Sequence, residues 1–376
     1  MQDEVLILGG GVAGCAAAIA LARKGRSVTL VEREPTPRHK VCGEFLSGEA
    51  LEDLHALGID VTSQGAVPIR YVRLAAARRA AQAPLPFPAA SLTRKALDTA
   101  LITTAVTAGV RVMRGCAVES LSRTADNRWH AALDDGTTLD APTVFLATGK
   151  YDLRGYSRPK DPHQWIGFKM YYRMSPGQTA EVGDASELTL YDGGYGGIQP
   201  VEDGMTNFCC VVQRRYFARA GLRWSGLLAK MQQDCPHLAM RLRGAEPLLD
   251  KPITVTHIPY GYIRRTTETG LYCIGDQAAV IPSFTGDGIS IALHTARRAV
   301  AAYLAAEPAT VFQPKLRTAM LPQMRLAELA AGGLNNALAR AVLPLCLRVW
   351  PGAMRMTAAL TRVTQPPAVV AQASGN

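Results

Sequence analysis

The chain has 376 residues, 48% hydrophobic and 19% charged, with a formal net charge of +10. This describes a globular protein with a substantial core, long enough for two domains or one large discontinuous one. No run reaches the roughly 18 uninterrupted apolar residues of a membrane span, and the basic charge is too diffuse to argue for nucleic acid; it suits an anionic cofactor, an acidic substrate or a membrane surface.

In chain order, Val5 to Leu8 is a short continuous apolar run, the pattern of a buried parallel strand. It enters Gly9-Gly10-Gly11-Val12-Ala13-Gly14, a G-x-G-x-x-G. A small-residue helix follows from Cys15 to Arg23, Gly25 ends it, and Ser27 to Glu32 is a second apolar strand closing on an acid. The three glycines of the motif act differently. Gly9 allows the tight turn, Gly11 lets backbone approach a pyrophosphate, and Gly14 lets helix and strand pack closely. The pyrophosphate sits at the helix N-terminus, where unpaired N–H groups and the dipole favour negative charge. Glu32 stands where an acid accepts from a ribose hydroxyl. Strand, glycines, helix, strand and acid in this order predict a dinucleotide fold beginning almost at residue 1.

Beyond Val41-Cys42-Gly43-Glu44 a helical pattern (Phe45, Leu46, Leu51, Leu54, Leu57) runs to Gly58. Short apolar runs from Ile69 to Pro88, with Pro84, Pro86 and Pro88, read as edge strands leaving the first domain. A helix opens at Ser91-Leu92-Thr93-Arg94 and ends at Gly109, and alternating strands lead to the buried run Val144 to Ala147, then Thr148-Gly149-Lys150. From Tyr151 to Arg265 aromatics gather, and Ile166–Met174, Glu187–Tyr191 and Asn207–Gln213 read as antiparallel strands around Gly193–Gly197, with a helix from Arg219 to Cys235. At Gly270 the first pattern returns: a buried strand ends in Gly275-Asp276, then come Pro282, Gly286 and Gly288 and a helix from Ile289 to Leu304. The remainder reads as helices broken at Gly332-Gly333, Pro344 and Pro351. From Ala331 it has no Asp, Glu or Lys, only Arg340, Arg348, Arg355 and Arg362. It is either a helical cover or a basic amphipathic tail that touches anionic lipid or lines an entrance for apolar substrate.

The eight cysteines show no C-x-x-C and no metal spacing, so no metal is expected, and several lie in apolar elements as buried thiols of a reducing cytosol do. With no basic n-region before Val5, a cytoplasmic protein without a leader is expected, with peripheral membrane contact through its C-terminal helices as the alternative surface role.

Three separated stretches, Gly9–Gly14 with Glu32, the helix start at Arg94, and Gly275-Asp276 with Pro282 and Gly286-Asp287-Gly288, resemble the FAD-dependent oxidoreductases of the aromatic-hydroxylase and geranylgeranyl-reductase superfamily. The resemblance covers about residues 1–305. It implies an α/β protein: a glutathione-reductase-type Rossmann FAD domain with an inserted antiparallel β-sheet substrate domain and a helical C-terminus. The FAD domain takes residues 1–68, 91–150 and 266–306, the substrate domain takes strands at 69–90 and residues 151–265, and the helical segment takes 307–376. By the same resemblance FAD lies against Gly9, Gly11, Val12, Ala13 and Gly14 at the pyrophosphate, with Glu32 on the ribose and Arg33 beside it. Arg94 and Val118 support the cofactor, Gly275 and Asp276 meet the ribityl chain, and Cys42, Gly43, Pro282, Gly286, Asp287, Gly288 and Ile289 surround the ring. NAD(P)H is the transient electron donor.

The resemblance has limits. Hydroxylases of this kind carry a D-G motif where this chain has Thr148-Gly149, which leaves the nicotinamide contact there unassigned. The expected activity is an FAD-dependent, NAD(P)H-using monooxygenase of a hydrophobic aromatic, polyketide-like or fatty molecule, in secondary metabolism. One alternative is a geranylgeranyl-reductase-like reductase of isoprenoid or other alkene bonds; the other is a non-catalytic flavin-binding partner subunit. Cys42 is the candidate catalytic residue, a thiol able to donate a proton, against the reading of a small hydrophobe shaping the pocket. Glu44 either answers a helix dipole or positions the flavin, and Asp287 either titrates or only shapes its loop. Lys169, Tyr171, Tyr191 and Tyr195 line the substrate cavity or belong to sheet core.

Overall fold

A computed structural model describes residues 4–335, 337–349 and 352, apart from 160, 162 and 163. Pro351, Arg355, Arg362 and the Pro/Ala/Gln tail lie outside the described residues.

The strands Val5–Leu8, Val28–Glu32, Thr143–Leu146 and Leu271–Cys273 are buried at every residue. Buried on both faces, they form a covered parallel sheet. They do so in the order Leu271–Cys273, Thr143–Leu146, Val5–Leu8, Val28–Glu32, with Arg111–Arg114 on the outside. The edge strand carries the arginines, which keeps it from pairing with other chains. Helix Val12–Ala22 packs on one face between Arg94–Thr107 and Gly288–Leu304. Val118–Arg123, Trp129–Leu133 and Thr138–Ala141 form a small sheet that covers Leu6, Leu8 and Leu146 on the other face.

The second layer is a nine-stranded sheet. Its path runs Glu246–Pro247, Trp165–Arg173, Thr206–Gln213, Gly194–Pro200, Ala185–Tyr191, Val67–Ala76, Arg79–Ser91, Phe45–Leu46, with Ile253–Thr256 also paired to Trp165–Arg173. It is mixed: Ala185–Tyr191 and Val67–Ala76 pair in parallel, and the other neighbours are antiparallel. More than a hundred residues of chain separate these two strands, so no hairpin dictates their direction. Within Gly193–Gly197 only Gly193 makes the turn, at φ +74°; Gly194 continues as strand, and a Cβ there would meet the Val211 carbonyl.

Four boundaries differ from the sequence reading. Phe45 and Leu46 form a strand because they pair with Ser91 and Ala90, and the helix begins at Gly48. Arg219 to Cys235 is split: Arg214–Arg219 ends before Gly221, at φ +82°, and Trp224–Asp234 starts anew. Ala309–Asn335 runs through Gly332-Gly333, and Ala337–Val349 runs through Pro344. Among the described residues no helix is long and apolar enough to cross a membrane.

Glu187, fully buried, ties the inserted sheet to its covering helices. It accepts from Arg73 Nη1 at 2.7 Å and Arg241 Nε at 3.1 Å, with His237 Nε2 at 2.9 Å. Burial pushes its carboxyl up, but His237, Arg241 and Arg73 together bring it from 4.5 down to about 2. A depressed folded pKa means stabilisation that is complete above the unfolded value and vanishes as pH falls through about 2. Glu187→Gln is therefore expected to lose about 3–5 kcal/mol in urea unfolding at pH 7. Its deficit against the native chain should shrink between pH 4.5 and about 2; a deficit independent of pH would refute the ion-pair account.

Candidate active site

Between the parallel sheet and the inserted one lies a cavity of 560 Å³. Gly11, Val12 and Ala13 form part of its wall, at the start of a helix that no side chain caps. The first-turn N–H groups and the dipole there are open to an anion. Two glycines bring the helix this close: a Cβ on Gly14 would stand 1.8 Å from the Gly9 carbonyl oxygen, and one on Gly9 2.4 Å from that of Ala147. Gly11 differs, since a Cβ there would meet only Arg94 Nη2, at 3.7 Å. Its missing side chain leaves space for a ligand rather than for the fold.

Glu32 supports this loop from beneath. Its carboxylate accepts the Gly10 N–H at 2.7 Å and the Glu34 N–H at 3.0 Å. Arg94 also faces the cavity, its guanidinium clamped by Asp98 at 3.0 and 3.1 Å, while Lys40 donates to the same carboxylate at 2.8 Å. Lys150 and Asp276 pair at 3.2 Å on the cavity wall, and Arg158 fixes the Asp276 carbonyl. The Asp276 carboxylate raises the Lys150 ammonium, so Lys150 stays charged.

Residues 41–44 form the floor. Glu44 holds a left-handed backbone, φ +63°, rare for a residue with a side chain. Four groups of the inserted sheet grip this segment. Lys169 pairs with Glu44 at 2.5 Å with both side chains 0% exposed, and Tyr171 donates to Glu44 Oε1 at 2.7 Å. Gln199 donates to the Gly43 carbonyl and Asn207 to the carbonyls of Cys42 and Gly43. Glu44 Oε1 also accepts the Arg94 N–H at 2.7 Å, so the acid serves the helix start as well. Burial raises the Glu44 carboxyl and Lys169 opposes it. The Cys42 thiol accepts the Glu44 N–H at 3.3 Å and faces the cavity.

Of the residues predicted from sequence, Gly11, Val12, Ala13, Cys42, Gly43, Arg94, Gly275, Asp276, Gly286, Gly288 and Ile289 line this one cavity. Gly9, Gly14 and Glu32 shape it from behind. Pro282 receives the Thr285 hydroxyl at its carbonyl, and Asp287 is fully buried at the start of helix Gly288–Leu304. Arg33 lies 3.5 Å over the Tyr151 ring, and Val118 packs against the Leu6–Trp129 core, so neither side chain lines the cavity. Of the three tyrosines named from sequence only Tyr195 lines it; Tyr191 stacks on Tyr216 in the core, and Tyr171 with Lys169 serves the Glu44 segment. Lys150, Gln199, Asn207, Tyr260 and Ser283 escaped the sequence reading. The period-two spacing of Lys169 and Tyr171 was the signal for the sheet face that grips Glu44.

This donor set fits FAD. An uncapped helix start and a buttressed glycine loop suit the pyrophosphate, Asp276 suits a ribityl hydroxyl, and Gly43 and Gly288 have open space where a Cβ would stand. A family model described as FAD dependent oxidoreductase matches residues 4–44. The chain is an FAD-dependent oxidoreductase. It is 27% identical over 328 residues to a menaquinone reductase of Mycolicibacterium smegmatis, across 79% of this chain and 75% of that protein. It is also 39% identical over 64 residues to squalene monooxygenase of Mus musculus, across 17% of this chain and 11% of that one. A flavoprotein/dehydrogenase structure from Cytophaga hutchinsonii shares the fold at TM-score 0.79 and 18% identity, over 95% of this chain and 92% of that one.

Two outcomes follow. Gly11→Val should fold with native thermal stability yet retain no FAD, whereas Gly14→Val should fail to fold; a yellow, FAD-saturated Gly11→Val protein would remove the loop from the site. Lys169→Met leaves Glu44 buried without its partner and should cost about 3–5 kcal/mol in urea unfolding. Adding Glu44→Gln should recover part of that loss; strictly additive losses would show that the two groups are not coupled.

Proposed function

We propose that this flavoprotein is an NAD(P)H-using monooxygenase of an apolar small molecule. The observation that carries the reading is the continuity of the cavity. From the glycine loop and Asp276 it runs without interruption to a wall of Val72, Leu74, Leu85 and Phe87 on the inserted sheet, closed by Leu334, Leu343 and Leu347 of the C-terminal helices. FAD supplies two-electron transfer and oxygen activation when bound. The balance is one substrate C–H, O2, NAD(P)H and a proton going to C–OH, NAD(P)+ and water. The chain's part is to seat the substrate beside the glycines at 286 and 288 and to keep bulk water from that contact with apolar side chains.

The local match to squalene monooxygenase supports oxygen transfer to an apolar carbon frame. The longer match to menaquinone reductase supports a second reading, reduction of an apolar unsaturated substrate by the same cavity. The C-terminal helices also expose Leu329 (76%), Val342 and Leu345 near the apolar wall, which supports uptake of substrate from a membrane surface.

The test uses FAD-loaded protein, NADH or NADPH, oxygen-18 gas and 5-pentylresorcinol as an electron-rich alkylated probe. A product carrying one oxygen-18 atom is expected. No label in the product, with geranylgeraniol instead gaining two hydrogens anaerobically, would replace oxygenation with alkene reduction.

A further inference from the structure

Opposite the glycine loop, the largely apolar cavity wall carries a group of hydroxyls. Tyr195 comes from strand Gly194–Pro200, Tyr260 from the segment after Ile253–Thr256, and Ser283 from the turn Ser283–Thr285, three residues before Gly286. Their hydroxyls meet at one point: Tyr195 Oη lies 2.9 Å and Tyr260 Oη 2.7 Å from Ser283 Oγ. All three residues line the cavity. The rings are held by packing, Tyr195 edge-on to Phe284 and Tyr260 edge-on to Trp165, so the hydroxyls have little freedom to turn elsewhere.

The cluster is open to a ligand in the cavity. Ser283, at its centre, is exposed, and a hydroxyl both donates and accepts. Set among apolar groups such as Ile258, Val280 and Ile281, the cluster is where a polar atom of an otherwise apolar molecule finds partners. Burial pushes both tyrosine hydroxyls above their ordinary pKa of 10, so both stay protonated at neutral pH and donate. The cationic side chains on the cavity wall, Arg94 and Lys150, belong to the glycine-loop end and are paired with Asp98 and Asp276. A carboxylate at the hydroxyls would thus have no countercharge among the described lining residues.

We infer that the Tyr195–Ser283–Tyr260 cluster is a substrate subsite that holds one neutral oxygen, a carbonyl or hydroxyl, of an otherwise apolar molecule. The inference rests on reading this cavity as the substrate site, and it narrows the substrate class from hydrocarbon-like to singly oxygenated. With the oxygen held there, the rest of the molecule lies along Val72, Leu74 and Phe87, and its position relative to Gly286 and Gly288 is set.

The test needs no turnover. Oxidised, FAD-loaded protein is titrated with 2-acetylnaphthalene and with 2-isopropenylnaphthalene, which has the same shape but carries a methylene in place of the carbonyl oxygen; binding is read from the flavin absorption and by calorimetry. The ketone should bind about tenfold more tightly, the worth of one hydrogen bond. Tyr260→Phe and Ser283→Ala, with FAD content and melting temperature checked as native, should each bring the two affinities within about twofold. Equal affinities in the native protein, or a preference for the ketone that survives both substitutions, would overturn the subsite. Binding of neither compound would overturn it together with the substrate reading of the cavity. An unlabelled product in the oxygen-18 experiment alongside an intact ketone preference would refute oxygenation and leave the subsite standing.

Discussion

A lysine and a glutamate, both fully buried, join the two layers of this molecule. Lys169 belongs to the inserted sheet and Glu44 to the segment that floors the cofactor cavity, and both are fully buried. Taking both charges out of water costs several kcal/mol each, which further bonds to Glu44 Oε1 and Lys169 offset in part. Glu44 Oε1 gathers the Tyr171 hydroxyl and the Arg94 amide, and Lys169 also reaches the Cys42 carbonyl. One acid therefore fixes the floor, the start of helix Arg94–Thr107 and the register of Trp165–Arg173 against both. A second acid repeats the device: Glu202, from the far end of the inserted sheet, accepts the Thr93 amide at 2.9 Å. Two carboxylates at one helix start also answer its dipole. Once these are set, Asp98 on that helix has Arg94 and Lys40 in place, and the cavity has its charged wall.

The left-handed backbone at Glu44 belongs to the same account. A side chain at φ +63° is costly, and four polar groups of the sheet hold the segment in that shape. The gain is positional: the turn brings the acid to Lys169 and Tyr171 of the sheet, while Cys42 and Gly43 remain on the cavity wall. Cys42 is then a residue whose backbone is clamped by Lys169 and Asn207 and whose thiol is oriented by the Glu44 amide. That arrangement holds the thiol in place on the cavity wall whether or not it exchanges a proton.

The parallel sheet was legible because each of its core strands is a short, mostly apolar run, and glycines separate strand from helix at the first of them. Gly11 and Asp276 were legible for a related reason: a pyrophosphate and a ribityl chain demand particular residue types at a strand end. The floor was only half legible. Val41–Glu44 stood out, but its partners lie 120 and more residues away on strands whose period-two pattern is equally that of sheet core. Phe45 and Leu46 carry a helical spacing with Leu51 and Leu54, and tertiary pairing with Ser91 and Ala90 overrode it. Of the Tyr195–Ser283–Tyr260 cluster only Tyr195 had a signal, since three hydroxyl residues from three segments become one site only through the fold.

The C-terminal helices show the same override in the opposite sense. Pro314, Pro322 and the Gly332-Gly333 pair should each interrupt a helix, yet Ala309–Asn335 is continuous. Phe312, Leu316, Met320, Met324 and Ala327 recur every three or four residues and are buried to within 2% against the cofactor domain. Burying five such side chains offsets two proline penalties of about 3 kcal/mol each. That stripe stops at Ala327, and just beyond it Ala330, Gly333 and Leu334 pass from the domain core to the cavity wall. The part of the helix that closes the cavity thus packs with Leu343 and Leu347 against the inserted sheet rather than against the cofactor domain. On the proposed reading, an apolar substrate would meet at Leu334 and Leu343 side chains of the same character as itself.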